Sequence, residues 1–484
     1  MDADAGTMLL TLLLGGGPPC WRRCSSASSE RCSSSSCRTC AATTSPSPDA
    51  DARASVADPG HDACPKSPPA PHQASAAIVA VPCRVARVVA PARDLGQVGR
   101  GLGGGGGREG DVDTCGCVRM RASICIFARD VYGRTFKDNA HKVTLCKVWS
   151  RSSGAAEEFC ASHALDAHPC HGERGIADIL ADRDIELVVV VLPVQVALQV
   201  VTQALAAGKH VIEEKPVAGS VELACAAIAE YRGMKSSALW MIAENYRYED
   251  AYSEACTIAK TIGTITKLDL VADMAMDEKN KYFNSAWRRD TVGCPGGMMT
   301  DMSVHYFAAL RMLAHACGMG EATEAVARSC HAKPALSSPD TLVGVLSFKN
   351  SSAPAAVSIS IGASHFTFSL KAVGTLGTVE VLRGGWGSSR AGYMLTWKRA
   401  ADAEPSTKQL PFRGVENEFD AFLALVGRQT SGDGGSTPTN RAPVIGSDEE
   451  RRASPEEGAR DLAICQALLE SGAAGGKVVK VHEI

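Results

Sequence analysis

The sequence predicts an α/β protein: an N-terminal doubly wound parallel sheet, then an α/β domain with an open, mainly antiparallel sheet, all behind a disordered leader. Three observations carry this. Between about residues 120 and 246, short β-branched runs alternate with stretches of helical periodicity. From Ile265 onward the apolar residues alternate at period two, the pattern of antiparallel strands. The first 118 residues are rich in Ser, Pro, Gly, Ala and Cys and lack sustained periodicity, so they offer no apolar face to offset ordering entropy.

Length and composition set the bounds. The 484 residues, 45% hydrophobic and 21% charged, are ample for a buried core. A net charge of −3 gives no clustered basic field, so neither nucleic acid nor a membrane surface is expected as partner, and a small molecule is. The 19 cysteines are an odd number. About half sit in the leader, and Cys125, Cys146, Cys225, Cys256, Cys317 and Cys465 fall in apolar runs, where free cysteine acts as a small hydrophobe. No knuckle spacing accompanies Cys37-Arg-Thr-Cys40 or Cys115-Gly-Cys117, so no metal is expected.

The elements follow in order. Residues 5 to 47 contain Arg22, Arg23, Arg31 and Arg38, many serines and only Glu30 as an acid, the composition of an organellar transit peptide. This predicts a cytoplasmic or organellar protein. Met8 to Leu14 is too short to span a bilayer and has no basic flank, which argues against secretion. Gly99-Arg-Gly101-Leu-Gly103-Gly104 satisfies G-x-G-x-x-G but is followed by more glycine, which cannot start a phosphate-binding helix; it reads as linker. The leader, 1–118, is expected to be dispensable for folding. A first strand is predicted at Ser123 to Phe127, a helix at 131 to 140 and a second strand at 142 to 149. Helix 173 to 182 leads to Leu187 to Leu192, a continuous β-branched run typical of a strand buried on both faces, which Pro193 ends. Helix 195 to 207, strand 210 to 213, helix 219 to 232 and strand 238 to 243 complete the first sheet. Gly208 stands where a helix C-cap requires positive φ.

A bridging helix from 249 to 261 opens the second part. Strands follow at about 264 to 276, 324 to 332, 341 to 349, 354 to 362, 366 to 373 and 376 to 382, with a helix from Thr300 to Ala314 between the first two. Residues 429–452 read as a flexible insertion and 455 to 473 as a closing helix. The domains are thus 119–246 and 247–484.

Three ordered motifs bear chemistry. Ala-Gly-Lys-His-Val (207 to 211) runs into Glu214-Lys215-Pro216, which sets an ammonium at the carboxyl end of a strand, where open α/β sheets bind ligands. Glu-Asn-Tyr-Arg-Tyr (244 to 248) comes next, then Gly-Gly-Met-Met-Thr-Asp-Met-Ser-Val-His (296 to 305). Asp301 and His305 are four apart and share a helix face. Together these resemble the Gfo/Idh/MocA family of oxidoreductases over roughly residues 120 to 482. The resemblance implies an N-terminal Rossmann domain for NAD or NADP, hydride transfer on sugars, cyclitols or related carbonyl compounds, and a second subunit covering the C-terminal sheet, hence a homodimer or larger homo-oligomer.

Aligned on that family, Ala128, Asp130 and Gly133 stand at the three glycine positions of the nucleotide turn, so only the third, which permits close helix–strand packing, is kept. A carboxylate at 130 would face the pyrophosphate, with Arg129 or Arg134 to offset it. Ser150 and Arg151 end the second strand, where an acid would bind the NAD ribose; a serine and an arginine suit a 2′-phosphate, so NADP is preferred and NAD is the other cofactor considered. Pro193, Glu214, Lys215 and Asn245 complete the implied cofactor contacts. Where the family often has Asn and His after the proline, this chain has Val194 and Ala197.

Oxidising an alcohol needs a base for its proton, and histidine is suited to this near neutrality. His305 is therefore assigned acid/base catalysis, Asp301 the orientation of its ring, and Lys215 the polarisation of the substrate oxygen. Lys215, Arg247, Trp287, Arg288, Asp301 and His305 are the expected substrate contacts. The competing class is a non-catalytic nucleotide or sugar sensor on the same fold, which would tolerate Asp130 while keeping the cleft.

Overall fold

Six strands make the first sheet in the computed structural model, which describes residues 77–81, 127–283, 285–385, 391–431 and 448–484. They are β1 (Ala77–Val81), β2 (Lys147–Ser150), β3 (His168–His171), β4 (Leu187–Val191), β5 (His210–Glu214) and β6 (Trp240–Ala243), in the order β3-β2-β1-β4-β5-β6. β2–β3, β4–β5 and β5–β6 are parallel. β1 instead runs antiparallel to both β2 and β4. Ala77–Val81 lies within 1–118, where no strand was expected; this short run, holding Ile78, Val79 and Val81, completes the hydrogen-bond ladders of two neighbours. The strand expected at Ser123 to Phe127 lies outside the described residues except for Phe127, which is helical. Gly99 to Gly104 also lies outside them.

Five helices flank this sheet: α1 (Gly133–Asp138), α2 (Ser153–His163), α3 (Gly172–Ala181), α4 (Val194–Ala206) and α5 (Val221–Gly233). Gly208, just past α4, has φ of +77°, as its C-cap position predicts. In β4, Val188 and Val190 enter one core while Leu187, Val189 and Val191 enter another. That two-sided burial is why the run carries no polar alternation.

The second sheet has nine strands, ordered β14-β13-β12-β11-β7-β10-β9-β8-β15. These are β7 (Ile265–Ala275), β8 (Ala322–Cys330), β9 (Thr341–Phe348), β10 (Ser351–Ser360), β11 (Gly362–Gly374), β12 (Gly377–Gly385), β13 (Ala391–Arg399), β14 (Ser406–Pro411) and β15 (Val479–Lys480). All neighbours are antiparallel except β7 and β10. Its helices are α6 (Asp250–Ala259), α7 (Gly297–Ala316), α8 (Gly414–Ser431), α9 (Asp448–Ala453) and α10 (Pro455–Ala473). The expected insertion at 429–452 is thus helical at both ends, with 432–447 outside the described residues.

The chain doubles back at α8. Phe419, Phe422, Leu425 and Val426 close the second core, over the face of the first sheet that holds Leu187, Val189 and Ile212. Phe136 of α1 meets Phe419 edge-on at 6.1 Å. Apolar burial at about 25 cal/mol per Å² makes this packing, rather than any hydrogen bond, the main tie of α8 to the sheet. Among the described residues the cysteines are free, no group of three His, Cys, Asp or Glu is placed to hold a metal, and no helix is long and apolar enough to cross a membrane.

Candidate active site

Lys215 follows β5 directly, after Glu214 and before a cis peptide bond to Pro216. Its Nζ donates to Asp301 twice, at 2.6 Å to the backbone oxygen and 3.0 Å to Oδ1. The other carboxylate oxygen of Asp301, Oδ2, accepts from Arg288 Nε at 2.7 Å. Burial would raise the Asp301 carboxyl, but Arg288 and Lys215 outweigh it and hold the group well below the usual carboxylate range. Two rings hold Arg288, which lies 4.1 Å over Trp287 and 4.7 Å over Tyr282. Gly297 explains how the 3-10 turn Ala286–Arg289 comes so close: its φ is +50°, and a Cβ there would sit 2.9 Å from the Arg288 carbonyl.

His305, one turn along α7, was expected to be oriented by Asp301. It is not. Both Asp301 oxygens are taken by the two cations, and His305 Nδ1 lies 2.7 Å from Glu244 Oε1 instead. The i, i+4 spacing gave the shared face correctly but not the direction of the side chains. Tyr246 stacks on the imidazole at 4.9 Å. Burial lowers the His305 ring, with Lys215 adding to it and Glu244 opposing. Glu244 is the residue that sequence reasoning passed over. It opened the Glu-Asn-Tyr-Arg-Tyr motif, yet nothing in one sequence says that its carboxylate turns inward.

Arg247 of the same motif does not line this cleft. It is almost fully buried on the far side of the turn, ion-paired with Asp461 and donating to the Glu457 carbonyl at 2.9 Å. Asn245 begins the 3-10 turn Asn245–Tyr248 and is half-buried. Trp287 is half-buried, and its carbonyl accepts from Gln195 Nε2 of α4 at 2.9 Å, tying the loop to the first sheet's helices.

The cofactor end departs from expectation in one place. Ala128, Asp130 and Gly133 do not form a loop. Ala128–Tyr132 is a π-helical turn running straight into α1, and Gly133 admits the His163 ring of α2, a helix–helix and not a helix–strand approach. Asp130 is neutralised by Arg129 at 3.0 Å and by Lys281 from the loop before α7. Arg134 pairs with Asp138 instead, at 3.4 Å. Burial would raise Asp130, but Lys281 and Arg129 leave it lowered. Elsewhere the residues fit a dinucleotide: the carboxyl ends of β2, β4 and β5 bring buried Ser150 with exposed Arg151, then Pro193, then Glu214-Lys215, to one edge of the sheet. Glu214 accepts from Tyr132 Oη at 2.9 Å, and burial pushes its carboxyl up to about 8.

A mostly parallel α/β sheet with a lysine at the end of one strand, facing a buried aspartate and histidine from a second sheet's helix, is the arrangement of a nicotinamide-dependent oxidoreductase. Known proteins agree. The family described as "Oxidoreductase family, NAD-binding Rossmann fold" matches residues 125–238, and the GFO/IDH/MocA C-terminal domain matches residues 255–380. The chain belongs to the Gfo/Idh/MocA family and is an NAD(P)-dependent dehydrogenase of that family. It is 29% identical to the dehydrogenase FPY6 of Fusarium mangiferae over 365 residues, 73% of this chain and 97% of the relative. In fold it is similar to the aldose-aldose oxidoreductase of Caulobacter crescentus (18% identity, 74% and 97% of the two chains, TM-score 0.58). It is likewise similar to a levoglucosan dehydrogenase solved in complex with NADH (18% identity, 70% and 90% covered, TM-score 0.55).

Proposed function

We propose that this chain is an NADP-preferring oxidoreductase that moves a hydride to or from a polyhydroxylated or carbonyl-bearing small molecule of sugar or cyclitol type. The observation that supports it is the Lys215–Asp301–Arg288 group beside His305: two cations share one carboxylate, and Lys215 and His305 each keep a partly open side chain. A hydroxyl or carbonyl oxygen is the natural acceptor for a hydrogen bond from the Lys215 ammonium.

In this reading Lys215 binds and polarises the substrate oxygen, Asp301 holds Lys215 in place, and His305 takes the hydroxyl proton on oxidation or returns it on reduction. Arg288, held by two rings, fixes Asp301 and lines the substrate side. The nicotinamide, when bound, supplies the hydride chemistry. Residues 119–246 hold the cofactor, with Ser150 and Arg151 at the adenosine ribose and Glu214 and Asn245 nearer the nicotinamide. Residues 247–484 hold the substrate. They also present exposed Val326, Val343 and Val345 on β8 and β9, a face that a second copy would cover.

The sugar- and NADH-linked neighbours support the substrate class, and Arg151 supports NADP over NAD. Fluorescence titration of the full chain with NADPH and NADH tests both parts. NADPH is expected to bind more tightly, and Arg151→Asp to weaken it at least tenfold, about 1.4 kcal/mol, with a smaller loss for NADH. Equal losses for the two cofactors would assign Arg151 a structural role. No NADP(H) binding at millimolar concentration would sink the oxidoreductase reading in favour of a sensor.

A further inference from the structure

The ring of His305 has one nitrogen spoken for. Glu244 arrives from the end of β6, just before the Asn245–Tyr248 turn, and its Oε1 accepts the Tyr246 backbone N–H at 3.1 Å while facing His305 Nδ1 at 2.7 Å. Its side chain is only 2% exposed, whereas that of His305 keeps 17%, so the open part of the ring is the edge away from Glu244. The second Glu244 oxygen, Oε2, is buried with no hydrogen-bond partner among the described residues. Tyr246, nearly coplanar with the imidazole at 20°, sets the plane of the ring. Plane and Nδ1 being fixed, Nε2 is the nitrogen left to meet a substrate.

We propose that Glu244 is the positioning residue of this site, holding His305 in the Nδ1–H tautomer, turning Nε2 toward the cleft and supporting the positive charge the ring gains with a proton. The proposal rests on the reading of His305 as the acid/base and adds which nitrogen acts. On oxidation Nε2 takes the substrate hydroxyl proton, and the nicotinamide, when bound, would supply the hydride acceptor. Nδ1 keeps its proton, and Glu244 gains none. The logic is that of a carboxylate behind a catalytic imidazole.

Other charges surround the pair. Lys215 and Glu214 face it from the end of β5, Asp301 from α7, Glu418 from α8, and Arg247 with Asp461 from behind. Lys215 disfavours an imidazolium and Asp301 favours it, but among the described residues Glu244 is the carboxylate bonded to the ring. Burial pushes the Glu244 carboxyl up, yet His305 and Arg247 outweigh it and leave it lowered.

The full chain labelled with 15N-histidine, with His305 assigned through His305→Gln, tests this without any substrate. Long-range 1H–15N correlation over about pH 4 to 9 reads both tautomer and titration midpoint, a ring still neutral at the acid end counting as a midpoint below it. Wild type is expected to show Nδ1–H. Glu244→Gln should keep that tautomer, because the Tyr246 N–H holds the amide oxygen in place, and lower the midpoint by about 1–3 units. Glu244→Asp, which keeps the charge, should restore most of the wild-type value. An Nε2–H tautomer in wild type, or an unchanged midpoint in Glu244→Gln, overturns the proposal; the wild-type spectrum decides alone if the variants fail to fold. Absence of NADPH binding by wild type overturns the oxidoreductase reading and leaves the His305–Glu244 result standing.

Discussion

Two buried ionic groups lie on either side of the Asn245–Tyr248 turn, and they are built differently. Behind it, Arg247 and Arg311 meet Asp461 and Glu457, all four side chains at most 8% exposed, and the set continues outward as Glu321 pairs with Arg311 and as Arg451 and Arg460 pair with Glu457. Burial would raise the Glu457 carboxyl, but Arg311 and Arg247 hold it down at about 2. In front, Lys215 and Arg288 share Asp301 alone, and both cations remain partly open, at 12% and 13%. The back group is a many-partnered network around two buried carboxylates, whereas the two front cations converge on one carboxylate and keep open sides that can meet a ligand. Ion pairing and burial do not by themselves distinguish the two.

The comparison can be broken most sharply at the front. His305→Ala and Lys215→Met should each cut turnover by about 10²–10⁴-fold, or roughly 3–5 kcal/mol in the barrier, while NADPH affinity stays within about threefold. Steady-state NADPH absorbance against fluorescence titration separates these. If urea unfolding shows the same variants losing several kcal/mol of stability, the front group is structural and the contrast disappears.

At the back the effect should fall on stability. Asp461→Ala leaves Arg247 and Arg311 buried with one fewer anion, which should cost about 3–5 kcal/mol in urea unfolding. The folded fraction should bind NADPH as before. A loss under about 1 kcal/mol would mean that water or Glu457 replaces the lost charge.

Glu214, beside Lys215 at the front, adds a test through pH. Its carboxyl is raised from the ordinary 4.5 to about 8, mainly by burial. A group raised in the folded state favours folding fully below its unfolded value and loses that contribution as pH climbs to the folded one. Stability should therefore decline between about pH 4.5 and 8, with a slope of up to about 1.4 kcal/mol per pH unit. Glu214→Gln should flatten that decline, read by urea unfolding at several pH values; an unaltered slope would place the titration elsewhere. The smallest effect is expected at Asp130, whose partly exposed pairs with Arg129 and Lys281 are worth at most about 1 kcal/mol. Asp130→Asn should free both cations and tighten NADPH by no more than about threefold, an effect that added salt removes. Tenfold weaker binding would show that Asp130 is needed where it stands.

How much of this the sequence disclosed depended on how local the cause was. The run 187 to 192 declared its strand because burial on both faces leaves no polar alternation, and Gly208 marked a helix end through its backbone alone. The strand at Ala77–Val81 was hidden because its pairing partners lie far along the chain. The α8 helix, β13 and β14 were likewise missed, since their worth comes from surfaces presented by other elements. At the site, motif order brought Lys215, Asp301 and His305 together. It could not show that Asp301 is already spent on two cations, that Arg247 faces backward, or that Lys281 reaches Asp130, because each is a matter of side-chain direction and distant partners.

The stacking of Arg288 on Trp287 gives the loop a spectroscopic voice. A guanidinium 4.1 Å from an indole alters the emission of that indole, and the same guanidinium is the second clamp on Asp301. Any ligand that draws Arg288 off Asp301 must also lift it from the ring. Trp287 emission, isolated by comparison with Trp287→Phe among the six tryptophans, should therefore change on substrate binding before any turnover is seen. A flat signal across a panel of aldoses and cyclitols that are turned over would mean that Arg288 never leaves its place.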